Sequence, residues 1–483
     1  MLKHNTIYNI SGVLLQSACA LITIPVYINY IGAQKYGVMA LLWVVLGYFG
    51  IFDLGISRST AYFVARAQHI EERERVVLSG VICSFIFGAL AAIAFYLSSN
   101  YVADTLFSHA NFARSDISVS VPYIAAALPF ITLGGVAIGA MEGRERFLLV
   151  NSLQVCGGML FQIAPLAVVF LVGPSLPAMI IAAVVARVLF IFALCIAAKF
   201  QVPFYTLRSV TIGHLSAVIQ FGGWLTLTNI VAPLLATLDQ VFVGSFFGPA
   251  SLTTYSVPSS LVSRTSVVPS AMARALFPRF AQMGRQDALE MAERANFVVI
   301  GIMTTICSVG AVVAKPFIAL WIGPAFATVS GPIAQLLFIG IWFNSLAYIP
   351  AYLLQSQERA QVVARIQLAE LLLYVPVLVG CLRAFGPTGA AVAWSTRFAI
   401  DALLHLRVAK FEVASIVKLW PGLVNVLAAV LLSRCFGDGN LLASALIACA
   451  AGVAGLVWSL WLSPDLLNVW GAFFGRSRRV ETM

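Results

Sequence analysis

Apolar residues run along this chain in long stretches without the alternation of a half-buried strand, broken by Gly, Pro and short charged clusters. The pattern predicts helices at about 6–31, 38–57, 76–98, 121–141, 147–172, 178–199, 215–244, 253–275, 296–321, 333–355, 362–384, 388–408, 413–435 and 441–462. A bilayer-crossing helix takes about 20 apolar residues, so each run is long enough to span a membrane and too long for a barrel strand. Fourteen such helices in 483 residues leave no room for a soluble domain of ordinary size. The expectation is an all-α membrane protein.

Composition agrees: 61% of the residues are apolar, 10% are charged and the mean hydropathy is +0.95. Soluble enzymes, nucleic-acid modules and secreted scaffolds are excluded. The net charge of +10 comes from 29 Lys and Arg against 19 Asp and Glu. In a multi-pass protein such an excess follows from basic residues gathering in cytoplasmic loops. With the N-terminus inside, 21 basic residues fall on the inner side and 5 on the outer, leaving Arg187, Arg264 and Arg397 within the membrane. Both termini are therefore expected in the cytoplasm. The eight cysteines form no CxxC pair and no metal spacing, so they read as packing residues, and no metal or cofactor is expected. The first run lacks a basic region beyond Lys3 and is too long for a signal-peptide core, so it is expected to stay as the first helix.

The chain repeats itself at an offset of 216 residues. Gly32 in INYIGAQKYG meets Gly248 in GSFFGPASLTTY, each ending a long run before a short turn. AQHIEERER falls on AQMGRQDALE, EGRER falls on QSQER with Glu142 over Glu358, and GPSLP opens the sixth run as GPTG opens the twelfth. This predicts lobes at 1–214 and 215–411, six helices each, followed by 412–483 with two extra helices and an amphipathic tail from Ser463. Six is even, so the lobes insert with the same orientation and are related by a pseudo-twofold axis along the membrane normal. Two like lobes about such an axis make a transporter plan with a central cavity.

Seven segments carry a likeness over nearly the whole chain: TIYNISGVLLQSACALITIPVYINYIGAQKYGVMAL, FDLGISRSTAYFVA and GRERFLLVN in the first half, and LDQVFVGSFFGPASLTTYSVPSSL, ARALFPRFAQM, KPFIALWIG and GPTGAAVAW in the second. In these the sequence resembles the polysaccharide transport family, the Wzx-type flippases of O-antigen and other lipid-linked oligosaccharides. Their superfamily also holds the multidrug and toxic compound extrusion (MATE) exporters. The resemblance implies a MATE-like fold in the bacterial inner membrane, without catalysis or cofactor. It also implies transfer of undecaprenyl-pyrophosphate-linked oligosaccharide units between leaflets by alternating access, for O-antigen, capsule or exopolysaccharide. Polysaccharide polymerase and chain-length proteins are the partners it suggests.

Charges at bilayer depth cost about 2.5–3.5 kcal/mol or more, so they should face a cavity or a partner. Arg187, Arg264 and Arg397 are candidates to hold a pyrophosphate, since a guanidinium offers paired donors and stays charged. The competing reading is that each snorkels or ties helices through carbonyls. Arg58 and Arg274 lie one repeat offset apart at the inner ends of the second and eighth helices, as a symmetric capture pair or as ordinary positive-inside residues. Asp239, Glu370 and Asp401 are candidates to couple H⁺ or Na⁺ to transport. Arg397, Asp401 and His405 recur every four residues on one helix face, so Arg397 and Asp401 also have each other as partners. Asp53 reads as a cap or a partner of Arg58, and Pro25, Pro233, Pro350 and Pro376 as kinks. A cation-coupled multidrug exporter is the alternative function, and it calls for a more acidic cavity. A membrane glycosyltransferase or polymerase needs catalytic groups on sizeable loops, and the longest outer loop, Asn100 to Ser118, is short and plain.

Overall fold

The computed structural model describes residues 2–48, 55–106, 111–202, 212–437 and 440–462; Asp53 and the tail from Ser463 lie outside these residues. All regular structure among the described residues is helical. In order the helices are α1 (Leu2–Tyr48), α2 (Ile56–Arg66), α3 (Ile70–Leu106), α4 (Asn111–Glu142), α5 (Phe147–Val172), α6 (Leu176–Gln201), α7 (Ile212–Ser263), α8 (Val267–Gln282), α9 (Arg285–Trp321), α10 (Pro324–Ser356), α11 (Ala360–Phe385), α12 (Pro387–Val408), α13 (Val413–Val417), α14 (Trp420–Phe436) and α15 (Leu441–Leu462). The second expected helix is divided between the end of α1 and α2. The eighth begins in α7 and passes through a 3₁₀ turn at Arg264–Ser266 into α8.

Ten helical stretches among the described residues are long and apolar enough to cross a membrane. Several start well before the apolar run that predicted them. α3 begins at Ile70 and α9 at Arg285, because EERER and RQDALEMAER continue the helix beyond the apolar zone. Glu71, Glu72 and Asp287 in those first turns meet the positive end of the helix dipole.

The expected turns at Gly32 and Gly248 are single-residue bends. Gly32 has φ 79° and ψ 159°, Gly248 has φ 83° and ψ 174°, and helix continues on both sides of each. A side chain there would strain this left-handed φ, which glycine adopts without penalty. The helices on either side match in length: α3 and α9 have 37 residues each, α5 and α11 have 26 each. Further along, the repeat shortens by three residues. Glu145 (φ 58°) and Glu358 (φ 61°) occupy the same turn, in which the N–H of Arg146 bonds the Met141 carbonyl and that of Arg359 bonds the Leu354 carbonyl. Glu145, rather than Glu142, therefore stands over Glu358.

The chain packs as two compact units, Met1–Thr253 and Thr254–Met483, dividing inside α7. This division follows packing, whereas the boundaries at 214 and 411 follow sequence similarity. In the first unit α3 lies along α4, α4 and α5 pack on α6, and α1 packs on α5. Thr132 donates to the Ser84 carbonyl at 2.8 Å, tying α4 to α3. Just past the Gly32 bend, a Cβ on Gly37 would stand 1.9 Å from the Pro249 carbonyl oxygen, and the Thr253 hydroxyl donates to the Ala33 carbonyl at 2.6 Å. Only a glycine admits that approach. In the second unit α9 packs on α10 and carries α14 and α15, while α12 lies against α10 and α11. Small side chains and interhelical hydrogen bonds replace the hydrophobic drive that lipid removes. Trp342 Nε1 bonds Thr304 at 2.7 Å, Ser459 bonds the Gly301 carbonyl at 2.8 Å, and Arg434 bonds Gln335 at 2.8 Å.

Candidate functional site

Among the described residues, half-buried Arg187 in the first unit and buried Arg397 in the second each lie against aromatic rings. In the second unit α12 presents Arg397, Asp401 and His405 one turn apart on its buried face, and α11 presents Glu370 and Tyr374 one turn apart on its own. The Arg397 guanidinium lies 5.0 Å from the centre of the Tyr374 ring and 4.2 Å from that of Phe398. His405 Nδ1 contacts Asp401 Oδ1 at 2.7 Å and the Asp401 carbonyl at 3.1 Å. The Glu370 and Asp401 carboxyls face each other within hydrogen-bonding reach, with the Arg397 charge close to both. Glu370, Arg397, Asp401 and His405 are all at least nine-tenths buried. Two atoms of the cluster, Glu370 Oε1 and His405 Nε2, are sealed from solvent without any hydrogen-bond partner. On α10, the Tyr348 hydroxyl hydrogen-bonds with Ser266 and lies near Arg274 and Asp401.

In the first unit Arg187 sits midway along α6, 5.8 Å from the ring centres of both Phe161 on α5 and Phe190 on its own helix. It makes no hydrogen bond and no ion pair with any described residue. Five N–H donors in a membrane-spanning segment are thus held by rings that accept no conventional hydrogen bond. Beside this arginine lies an aromatic group in which Tyr27, Tyr36 and Trp43 meet edge-on or tilted, with Phe161 6.4 Å from Trp43. The Tyr27 hydroxyl donates to the Gln162 carbonyl at 2.6 Å, and the Gln162 amide donates to Thr23 at 2.8 Å, closing a polar layer between α1 and α5.

The other expected site residues lie apart from these two clusters. Arg58 on α2 is exposed near Glu142. Arg274 on α8 is exposed and bonds the Ser270 carbonyl at 3.2 Å. Arg264 opens the 3₁₀ turn, half-buried. Asp239 is fully buried in α7, in the first unit, whereas Glu370 and Asp401 come together in the second. Sequence spacing placed Arg397, Asp401 and His405 on one face but gave no sign of Phe161 or Tyr348, whose positions depend on neighbouring helices. Tyr374 was missed although it stands one turn after Glu370, the one local signal that could have found it. Among the described residues no group of three or more His, Cys, Asp and Glu side chains is placed to hold a metal ion.

The fold is shared with solved membrane transporters. A lipid II flippase, MurJ, in an inward closed conformation superposes with a TM-score of 0.74 at 15% identity, covering 96% of this chain and 99% of that chain. An inward-facing multidrug resistance MATE family transporter of the MOP superfamily gives 0.67 at 13% identity, covering 86% and 99%. The chain thus has the all-helical, multi-pass fold of these proteins. It belongs to the polysaccharide biosynthesis protein family, whose sequence profile matches residues 2–284. A Shigella flexneri relative named "Putative O-antigen transporter" is 26% identical over 413 residues, covering 83% of this chain and 96% of that one. The uncharacterized membrane protein EpsK of Bacillus subtilis is 22% identical over 362 residues, covering 71% and 69%. Of these proteins, the Shigella relative and both solved structures carry the names of transporters or flippases, and the family is described by polysaccharide biosynthesis.

Proposed function

We propose that this protein flips undecaprenyl-pyrophosphate-linked oligosaccharide units from the cytoplasmic to the periplasmic leaflet of a bacterial inner membrane, supplying surface polysaccharide synthesis. The observation that carries the reading is Arg187: a guanidinium at mid-membrane depth, braced by Phe161 and Phe190 and paired with no described residue, is short of an anion. A pyrophosphate meets that need through charge-assisted paired donors. A multidrug exporter for cations would need acid there instead. Arg58, Arg264 and Arg274 are proposed to pass the phosphate between bilayer face and interior, and Asp239, Glu370 and Asp401 to couple an ion gradient. Lobes 1–214 and 215–411 would alternate access, with both termini in the cytoplasm and the delivered units passing to a polymerase and its chain-length partners.

The test is polysaccharide export in a flippase-deficient strain, at matched membrane abundance. Arg187→Ala is expected to reduce export to background. Arg187→Lys should retain a small part of it, because lysine keeps the charge and loses the fork. Wild-type export by both variants would overturn the reading.

A further inference from the structure

The α11–α12 cluster makes a choice between the two ions that the proposed function leaves open. We infer that Glu370, Asp401 and His405 form one buried proton-binding site, occupied by a single exchangeable proton and closed to sodium. This rests on the transporter reading for its purpose but on local geometry for its existence.

Charge balance comes first. Two ionised carboxylates and the Arg397 guanidinium leave the cluster with one net negative charge when His405 is neutral, on side chains each at least nine-tenths buried. An uncompensated charge there is strongly disfavoured, because burial removes the water that would solvate it. One added proton makes the cluster neutral, and a second makes it positive. The geometry supplies the places for that proton. Facing carboxyls within hydrogen-bonding reach share a hydrogen bond only when one of them carries a proton. His405 Nδ1, 2.7 Å from Asp401 Oδ1, extends the same chain by one more acceptor or donor. Glu370 Oε1 and His405 Nε2 end the chain, each buried and unpartnered, and a proton arriving or leaving is what gives either atom a role.

Sodium fits poorly for two reasons. A hard cation requires a shell of several oxygen ligands, and here one Asp401 oxygen is engaged by an imidazole. Arg397 also stands beside both carboxyls as a fixed cation, held in place over the Tyr374 and Phe398 rings. Among the described residues, the charged or titratable groups near the pair are Tyr374 from α11, Arg397 and His405 from α12, and Tyr348 from α10, itself near Arg274 of α8. None of them adds an oxygen anion. His405 lies one turn before the end of α12 at Val408, so the route from water to the site is short at that end.

Infrared difference spectroscopy on the purified, substrate-free protein tests the site whatever lipid is carried. The wild type should show a carbonyl-stretch band of a protonated carboxylic acid that titrates with pH and shifts in heavy water. At fixed pH it should be indifferent to replacing choline chloride by sodium chloride. Glu370→Gln should remove the band, and His405→Gln should move its midpoint while leaving it present. Heavy-water exchange in the wild type keeps the test independent of whether the variants fold. A pH-insensitive spectrum, a band that survives Glu370→Gln, an unmoved midpoint in His405→Gln, or a band bleached by sodium would overturn the inference. A protein that passes this test yet fails to export would count against the flippase reading alone.

Discussion

Arg187 and Arg397 stand on corresponding helices of the repeat, one turn apart in register, and their surroundings differ in one respect. With the 213-residue offset that relates Glu145 to Glu358, Phe161 falls on Tyr374, so each arginine packs against an aromatic ring at the same place on the preceding helix. The same offset puts Gly157 where α11 has Glu370 and Val188 where α12 has Asp401. One half has kept the arginine and the ring and carries acid; the other has the arginine and the ring alone. An arginine with two carboxylates close by has its counter-charge within the protein, and its environment is complete once a proton is counted. An arginine on rings alone must find its counter-charge outside the protein. Under the proposed function, the halves would divide the work between an internal ion site and an external anion.

The strongest way to break this comparison is to give the first half an acid. Ile191→Asp places a carboxylate four residues after Arg187, the spacing of Arg397 and Asp401. The arginine would then have an internal partner, and export is expected to fall to background although Arg187 remains. Ile191→Asn adds the same bulk and polarity without charge, so at matched abundance it should export substantially better. Equal export by the two variants would remove the claim that Arg187 serves by being unpaired.

The second half should answer in stability rather than in export alone. Asp401→Ala leaves His405 Nδ1 without its 2.7 Å partner and Glu370 without the facing carboxyl. Breaking a buried charge network by removing one member costs about 3–5 kcal/mol. Asp401→Asn preserves shape and one hydrogen bond and should cost less. Arg187→Ala, by contrast, deletes no protein acceptor and should shift the melting temperature of the purified protein least of the three. A melting temperature for Asp401→Ala equal to that of the wild type would contradict the picture of a closed network.

Much of the fold was legible because lipid leaves the chain few options. The runs at 147–172 and 441–462 coincide with α5 and α15, where Arg146 and Gly173 mark the ends of α5 and Asn440 the start of α15. Where helices leave the bilayer without such a mark, as at Ile70 and Arg285, apolarity alone misplaced the start. The Gly32 and Gly248 bends were visible as a repeated glycine, although their sharpness was not. At the site, the four-residue spacing of Arg397, Asp401 and His405 was a local property of one helix. The approach of Glu370 and the ring of Tyr374 depend on how α11 packs on α12, which a linear pattern does not encode. The distinction between Arg187 and Arg397 was legible only in part: Asp401 four residues after Arg397 marked one arginine, whereas the rings around both depend on how the preceding helix packs.

The smallest expected effect concerns the rings that the two arginines share. A cation over an aromatic face contributes about 0.5–2 kcal/mol, depending on how far it is desolvated. Phe161→Leu and Tyr374→Leu remove equivalent rings, yet the consequences should separate. Tyr374→Leu takes one of two rings from an arginine that still has Phe398 at 4.2 Å and two carboxyls nearby, so the guanidinium stays in place and export should change little. Phe161→Leu leaves Arg187 with Phe190 at 5.8 Å and no acid, and the side chain loses half of what fixes its direction. Export should drop several-fold while membrane abundance holds. Phe161→Tyr, which keeps the ring and copies the second half, should restore it. If the two leucine variants export alike, the rings are packing bulk in both halves, and the contrast between the arginines would rest on the carboxylates alone.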